Sequence, residues 1–256
     1  MGIENTSKLN QLLSIHPKGG VILSKWLNEK GYSYSLQAKY RINNWFETIG
    51  RGALIRKGEE VNYLGGIYAL QRQAQMSIHP AALTALSLTG NAHYARFYSR
   101  EKTLMGGPKE QLPQWFQNHQ WEVSLFYIRT SLIKGNIGLT QVVIDGLPIH
   151  ISSNPRALLE CLYLAPKTVS YMECQLLMEN LNNLQPAVVQ ELLENCTSIK
   201  VKRLFLYMAT KADHQWVKRM DITHVDLGKG KRSLAKDGVF ISEYNITVPK
   251  ELAAYG

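Results

Sequence analysis

The first sixty residues alternate between short apolar stripes of helical spacing and breaks rich in glycine or proline. Leucines between residues 9 and 13 recur at the spacing of one helix face, and apolar residues between 21 and 27 repeat the pattern. The second stripe ends at Lys30-Gly31, where glycine suits a left-handed helix end. These stripes predict two short helices in succession.

A third helix is expected next, because Ser33 or Ser35 can cap a helix that runs to about Phe46. Gly50-Arg51-Gly52 then permits a tight turn, and residues 53–56 have the composition of a short strand. Three helices followed by a basic hairpin are the parts of a winged helix-turn-helix, whose third helix enters the DNA groove. The order of these elements predicts a DNA-binding unit.

Periodicity leaves the inward face of the third helix open. Ala38, Ile42 and Trp45 form one apolar line, whereas Leu36 and Tyr40 form a nearly opposite line. An amphipathic helix buries one apolar stripe, so only one of these two lines is expected to pack inward near the helix start. Both orientations remain possible from the sequence.

The remaining chain mixes helical and strand-like periods, which predicts an α+β fold. Asp145-Gly146 is a strong hairpin signal, and Asn154-Pro155 suits a helix start with Asn as N-cap. Expected helices cover residues 62–76, 79–88, 155–164, 170–182, 186–195 and 198–211. Expected strands cover residues 102–105, 121–128, 139–144 and 147–151, and a last pair, 232–235 and 239–241, turns at Asp237-Gly238.

This pattern predicts three parts. Residues 1–60 form the winged helix-turn-helix, residues 61–95 form connecting helices, and residues 96–256 form a C-terminal domain of mixed antiparallel sheet and helices. With 45% apolar residues, the composition is that of an ordinary globular protein.

The net charge of +9 is concentrated in two blocks. Residues 1–60 hold nine Lys/Arg and five Asp/Glu, and residues 198–236 hold ten and three, while the segment between them is neutral. Two separated basic blocks suit a polyanion such as DNA or RNA better than a small acidic substrate. Solubilising lysines are the plainer interpretation of the second block.

The third helix and the wing supply the candidate DNA contacts. Gln37, Arg41 and Asn44 share one face by their spacing, and these residue types pair bidentately with base edges. Cations around them suit phosphates, which position a protein without reading sequence. The expected DNA-binding residues are Ser35, Gln37, Lys39, Arg41, Asn44, Arg51, Arg56 and Lys57.

The second basic block begins at the start of an apolar helix, where cations are unfavourable unless an anion or acidic partner is present. The glycines of Asp226-Leu-Gly-Lys-Gly-Lys-Arg232 would let backbone amides approach a phosphate, although the P-loop spacing is absent. An exposed basic turn is an equally good interpretation. The expected second basic surface consists of Lys200, Lys202, Arg203, Lys218, Arg219, Lys229, Lys231 and Arg232.

Catalytic and metal-binding signals are weak, so we expect neither an enzyme nor a cofactor. The seven histidines show no metal-ligand spacing. A Mg²⁺-dependent nucleic-acid-processing site built on Asp221, Asp226 and Glu243 is an alternative, as is a transcription regulator that senses a ligand. Cys161, Cys174 and Cys196 lie in apolar helical patterns and suggest reduced thiols in the cytoplasm. No secretory signal or membrane span is expected.

Taken together, these segments resemble the AbiEi antitoxin family of type IV toxin–antitoxin (abortive infection) systems, over nearly the whole chain. Asn44 departs from the pattern, since glycine is expected there, which affects the end of the reading helix. The segments that carry the resemblance are Lys39-Tyr-Arg with Trp45-Phe and Ile49-Gly-Arg-Gly52, Gly65-Gly-Ile-Tyr-Ala-Leu-Gln71, Gly90-Asn-Ala-His-Tyr94, Ile151-Ser-Ser-Asn-Pro-Arg-Ala-Leu-Leu-Glu160, Lys200-Val-Lys-Arg-Leu-Phe-Leu206 and Asp226-Leu-Gly-Lys-Gly-Lys-Arg232.

The resemblance implies a protein with two functions. Its winged helix would bind inverted repeats in double-stranded promoter DNA and repress its own operon. Its C-terminal domain would neutralise a nucleotidyltransferase-like toxin of the AbiEii type without a stable complex, as part of phage defence. The residues by themselves support only the DNA-binding half.

Overall fold

The computed structural model describes residues 8–90 and 101–255. Within them, the helices are α1 (Lys8–Ile15), α2 (Ser24–Glu29), α3 (Tyr34–Ile42), α4 (Tyr63–Arg72), α5 (Ala82–Leu88), α6 (Gln114–Asn118), α7 (Asn154–Leu164), α8 (Tyr171–Asn180), α9 (Pro186–Asn195), α10 (Ile199–Lys211) and α11 (Lys250–Ala254). The strands are β1 (Ile22–Leu23), β2 (Phe46–Gly50), β3 (Ala53–Arg56), β4 (His79–Pro80), β5 (Glu101–Gly106), β6 (Ser124–Arg129), β7 (Leu139–Ile144), β8 (Leu147–Ser152), β9 (Arg232–Ser233), β10 (Val239–Ile241) and β11 (Ile246–Val248).

The N-terminal elements form a helix-turn-helix with a wing. The helices α2 and α3 are joined at residues 30–33, and Ser33 caps α3 by accepting a hydrogen bond from the Leu36 amide. The strands are ordered β1-β3-β2, and the wing hairpin turns at Arg51-Gly52. This confirms the predicted α+β class with a helix-turn-helix at its N-terminal end.

Two predicted boundaries in this region are wrong. Residues 22 and 23 form β1, which pairs with Leu54 and Ala53 of β3, so they lie outside α2. Helix α3 ends at Ile42, and Phe46 begins β2. In both places, pairing with β3 overrides a helical pattern that was read from one chain segment alone.

The core of the winged helix settles the orientation of α3. Tyr40 is buried among Leu12, Leu27 and Phe46, and Leu36 packs against the same cluster. Ile42 is 78% exposed and Trp45 is 47% exposed. The line through Leu36 and Tyr40 therefore faces inward, and the line through Ile42 and Trp45 faces solvent.

Asn44 occupies the left-handed position just beyond the end of α3, where glycine is expected. Its φ of 57° lies in the left-handed region, which Asn tolerates better than most residues. The Trp45 amide donates to Tyr40 O at 2.9 Å, and the Asn44 amide donates to Arg41 O at 3.0 Å. These two bonds form the C-terminal arrangement that glycine usually supports, so the helix end is preserved.

Two of the residues that carry the family resemblance beyond the winged helix, Gln71 and Gly65, hold backbone segments together. The side-chain amide of Gln71 pairs with both backbone groups of His150, each at 2.8 Å. Gly65 lies so close to Gly19 O that an added Cβ would be 1.9 Å from it. Residues 91–94 of the Gly90-Asn-Ala-His-Tyr94 segment lie outside the described residues.

A buried ion pair organises the start of α7. Arg156 Nε donates to Glu160 Oε1 at 2.9 Å, and the Ser152 hydroxyl and the Ala82 amide also donate to this carboxylate. Both charged side chains are almost fully buried. Replacing either residue would leave the other charge buried without a partner, which destabilises the folded state. Ser153 is the N-cap position of α7, one residue before the predicted Asn154.

The predicted hairpin of residues 232–235 and 239–241 does not form. Strands β9 and β10 both pair with β11, in the order β10-β11-β9, and β9 runs parallel to β11. The strand β11 was missed because it spans only three residues. Because β11 lies between β9 and β10, these two strands are not neighbours, and the segment that contains Asp237-Gly238 connects them across β11 without closing a hairpin.

The described chain groups into two compact units. One contains residues 8–79, 109–125 and 141–150, and the other contains residues 80–90, 101–108, 126–140 and 151–255. The three cysteines are buried free thiols, as predicted, and burial raises the pKa of Cys174 to about 12. No helix in the described ranges has the length and apolar composition needed to cross a membrane. The division into domains at residues 60 and 95 stays a prediction.

Candidate nucleic-acid interface

The exposed face of α3 carries polar and basic side chains. Lys39 and Arg41 are exposed on the last turn of the helix, Ser35 is exposed on the first turn, and Asn44 is exposed just beyond the end. Arg51 is exposed at the turn of the wing. Five of the eight predicted DNA-binding residues therefore face solvent without an ion pair among the described side chains.

The position of Gln37 differs from the prediction, which placed its side chain on the reading face. Its side chain is 3% exposed, and its amide donates to Tyr32 O at 2.7 Å and to Ser24 O at 3.0 Å. Both acceptors belong to the helix-turn-helix backbone, so Gln37 fixes the angle between α2 and α3. Helical spacing placed it beside Arg41, but the inward direction of Tyr40 turns it toward the core.

Arg56 and Lys57 are also engaged within the protein. One Arg56 Nη donates to Leu13 O at 2.7 Å and to His16 O, and the other lies 3.7 Å from Glu59. Lys57 Nζ is 2.5 Å from Glu47 Oε2 across the wing. The predicted role of Arg56 as a phosphate contact is therefore corrected to anchoring the wing on α1.

Three apolar side chains share the solvent-facing region of α3, and the predicted set of DNA-binding residues does not include them. Tyr34 is 59% exposed, and Ile42 and Trp45 are exposed as described above. Apolar side chains that face the major groove can contact thymine methyl groups. The signal that could have found them was the second apolar line of the helix, whose direction periodicity left open.

A buried histidine lies beneath the wing. His16 is 4% exposed, and its Nε2 lies 3.3 Å from Val21 O. Burial is the main cause that lowers the pKa of His16 to about 4, and the positive charge of Arg56 adds to it. The imidazole is therefore neutral at pH 7, and it supports the wing without contributing charge.

The second basic block divides into buried and exposed side chains. Lys202 is 3% exposed and Arg203 is 1% exposed, so neither side chain lies on the predicted basic surface. The guanidinium of Arg203 donates to four carbonyls, those of Leu227, Gly228, Gly230 and Asn245, at 2.7–2.9 Å. Its role is to hold the 226–232 loop onto α10.

The exposed part of the block is the loop itself. Lys229, Lys231 and Arg232 are exposed and line a cavity with Lys200, whose ammonium also donates to Ala165 O at 2.9 Å. Lys218 pairs with Asp213 at 3.3 Å outside this cavity, and Arg219 next to it is exposed. The structure therefore brings together four of the eight predicted residues in addition to the buried Arg203.

Two of the three carboxylates that suggested a nuclease-like site serve local turns. Asp221 accepts hydrogen bonds from the amide and the hydroxyl of Thr223, and Asp226 accepts one from the Gly228 amide. Across residues 8–90 and 101–255, no three His, Cys, Asp or Glu side chains are placed to share a metal ion.

Comparison with known proteins identifies the family. Residues 5–97 match the family model described as "Transcriptional regulator, AbiEi antitoxin N-terminal domain", and residues 99–249 match "Transcriptional regulator, AbiEi antitoxin, Type IV TA system". No curated protein sequence matches the chain.

Among solved structures, the chain is similar to the crystal structure of the RV2827C protein from Mycobacterium tuberculosis. The TM-score is 0.56 at 12% identity, over 96% of this chain and 90% of that chain, which is a likeness of fold alone. The two family models together span most of the sequence. The chain therefore belongs to the AbiEi antitoxin family of transcriptional regulators of type IV toxin–antitoxin systems.

Proposed function

We propose that this protein represses its own operon by binding inverted repeats in the promoter through α3 and the wing. The observation that carries the proposal is that Lys39 and Arg41 of α3 and Arg51 of the wing are exposed to solvent. The opposite face of α3 packs into the core of the winged helix. In the described structure, these three side chains have no acidic partner. They are therefore available to phosphates and bases.

Different roles follow from the positions of these side chains. Arg41, near the end of the helix, suits a guanine edge, whereas Lys39 and Arg51 suit phosphates on either side of the groove. Ser35 and Asn44 add short polar contacts, and Tyr34, Ile42 and Trp45 add apolar contacts. We leave Gln37 and Arg56 out of the interface because both side chains are engaged inside the protein.

Promoter binding at several salt concentrations tests this proposal. Each phosphate contact releases counterions, so affinity for a duplex of the upstream repeats is expected to fall steeply with salt. Replacing Lys39, Arg41 and Arg51 together by Ala should flatten that dependence. The matched control replaces Lys134, Lys167 and Lys250, three exposed cations of the other unit. Binding that is flat across salt, or equal for scrambled DNA, would overturn the proposal.

The second half of the proposed function is neutralisation of a toxin. The description of the matching family as an antitoxin of a type IV system supports it. We assign this role to the C-terminal part of the chain, with the exposed cations around the 226–232 loop as its functional surface. The partner is a nucleotidyltransferase-like toxin of the AbiEii type, which the antitoxin counteracts without a stable complex.

Co-expression tests the antitoxin role separately from repression. Under an external promoter, the full chain is expected to restore growth to cells that express the toxin encoded next to it. The Lys39, Arg41 and Arg51 variant should restore growth equally well, because repression is bypassed. Failure of the wild-type chain to protect would contradict the antitoxin role, and stable co-purification would contradict action without a complex.

A further inference from the structure

The second unit contains a cavity of about 410 Å³ that is lined by cations and, among the described residues, by no carboxylate. A volume of this size is typical of sites for small organic ligands, and it exceeds what one phosphate ion needs. The charged lining residues are Lys200, Arg203, Lys229, Lys231 and Arg232, and the other lining residues are Ile199, Gly228, Gly230, Ser233 and Leu234.

Several interactions hold these cations together against their mutual repulsion. The four carbonyl bonds of Arg203 pull the loop onto α10, and they place Lys229, Lys231 and Arg232 around the opening. Lys231 Nζ lies 4.9 Å from the centre of the Phe240 ring, a cation–π contact that orients the ammonium. Within the described chain, Lys229, Lys231 and Arg232 form no ion pair.

The loop also leaves backbone donors available. The carbonyls of Leu227, Gly228 and Gly230 turn toward Arg203, while the amides of residues 229–231 donate to no group of the described chain. Successive free amides next to cations are a recurrent way to hold an anion. An added Cβ at Gly230 would meet nothing within 4 Å, so the backbone there is open to an approaching group.

We propose that this cavity binds the polyphosphate of a free nucleotide. The cations and amides of the loop would contact the phosphoryl oxygens, and Ile199 and Leu234 supply apolar wall for the remainder of the molecule. Several clustered cations match a chain of phosphates better than a single charge. Since no carboxylate of the described chain lines the cavity, the protein is not expected to hold Mg²⁺ with the nucleotide.

Calorimetric titration of the full-length protein tests the proposal with ATP, inorganic tripolyphosphate and adenosine as probes. ATP and tripolyphosphate are expected to bind and adenosine is not, because the phosphates carry the interaction. Lys231→Ala should weaken ATP binding roughly tenfold, since one charge-assisted contact is lost. Replacing Lys229, Lys231 and Arg232 together should abolish it, and ATP should bind more weakly with excess Mg²⁺.

The control removes the same charge from elsewhere in the same unit, by replacing Lys134, Lys167 and Lys250 with Ala. It should bind ATP as the wild type does, and circular dichroism checks that both triple variants stay folded. Equal ATP binding by the two triple variants, or binding that requires Mg²⁺, would overturn the proposal. So would a wild-type protein that binds an RNA oligomer through these residues and does not bind ATP.

The inference deepens the proposed antitoxin function, because it gives that basic surface a ligand class. Its failure remains distinguishable from failure of the function itself. Direct titration reads the cavity, whereas growth rescue reads neutralisation. A variant that loses ATP binding and still rescues growth leaves the cavity proposal standing and separates it from toxin neutralisation.

Discussion

Helices α3 and α10 carry similar cations at short spacing and use them in opposite ways. In α3, Lys39 and Arg41 point into solvent, whereas in α10, Lys202 and Arg203 are buried. The difference lies in the surrounding residues. Every residue of α10 from 201 to 209 is buried, so the helix has no solvent-facing side for its cations over that stretch.

The comparison shows that a basic cluster indicates a binding surface only when its helix has a free face. When a helix is buried on all sides, its charged side chains need hydrogen-bond acceptors from the surrounding protein. The four carbonyls around Arg203 meet that need. The buried guanidinium of Arg203 therefore stabilises the 226–232 loop, and the cations of that loop are exposed to solvent.

Arg203→Ala provides the largest test of this contrast. Removing the guanidinium leaves four carbonyls without their donor and opens a cavity in the core of the second unit. The free energy of unfolding is expected to fall by about 3–5 kcal/mol. Arg41→Ala, on an exposed helix face, should change it by less than about 0.5 kcal/mol. Urea unfolding of both variants measures the difference, and equal midpoints would contradict the buried role of Arg203.

The helix-turn-helix could be predicted because its signals are local. Leucine stripes, the glycine at residue 31 and the serine cap at residue 33 lie within or beside the helices that they define. The three-residue β11 and the two-residue β1 could not be predicted, since such short strands exist only through their pairing partners. The absence of β11 from the prediction produced the wrong hairpin near residue 237.

The candidate site was predicted in part for a related reason. Exposed Lys39, Arg41 and Arg51 could be expected because a reading helix and a wing present polar side chains. The burial of Arg203 could not, because its acceptors lie 24 to 42 residues further along the chain. Gln37 was misplaced because one-helix periodicity gave two possible inward faces, and only packing on α1 and β2 chose between them.

A pH titration sharpens the comparison by isolating the winged-helix unit. Because burial lowers the pKa of folded His16 to about 4, the unfolded chain binds a proton near pH 6.5 while the folded chain does not. Stability is therefore full above pH 6.5 and falls as the pH drops toward 4, by about 3 kcal/mol from this group. His16→Gln should remove that part of the slope. An unchanged slope in urea unfolding from pH 7 to pH 4 would contradict the buried neutral state.

Arg41→Ala and Gln37→Ala distinguish DNA recognition by α3 from the hydrogen bonds that hold α3 in place. Loss of Arg41 should weaken binding to the promoter repeats by about 1–3 kcal/mol and relax base preference at one position. Loss of Gln37 should lower the free energy of unfolding by about 1–2 kcal/mol, because two buried carbonyls lose a donor. Its preference for the repeats over scrambled DNA should be unchanged.

Gel-shift titration with matched and scrambled duplexes measures both effects on DNA binding, and urea unfolding supplies the stability readout. Gln37→Asn serves as a control, since the shorter amide retains the chemistry and loses the reach to Ser24 and Tyr32. It should resemble Gln37→Ala in stability. A loss of base preference in either Gln37 variant would restore this residue to the reading face.

The smallest effect is expected where the second basic block is tested on promoter DNA. Replacing Lys229, Lys231 and Arg232 by Ala removes three exposed cations, yet the salt dependence of promoter binding should stay as it is in the wild type. The slope of log affinity against log salt reports the phosphates contacted, about 0.9 for each. If only α3 and the wing touch DNA, the three loop cations contribute nothing to it. A slope reduced by about 2–3 would show that both basic blocks contact the same duplex. The assignment of DNA binding to α3 and the wing alone would then be wrong.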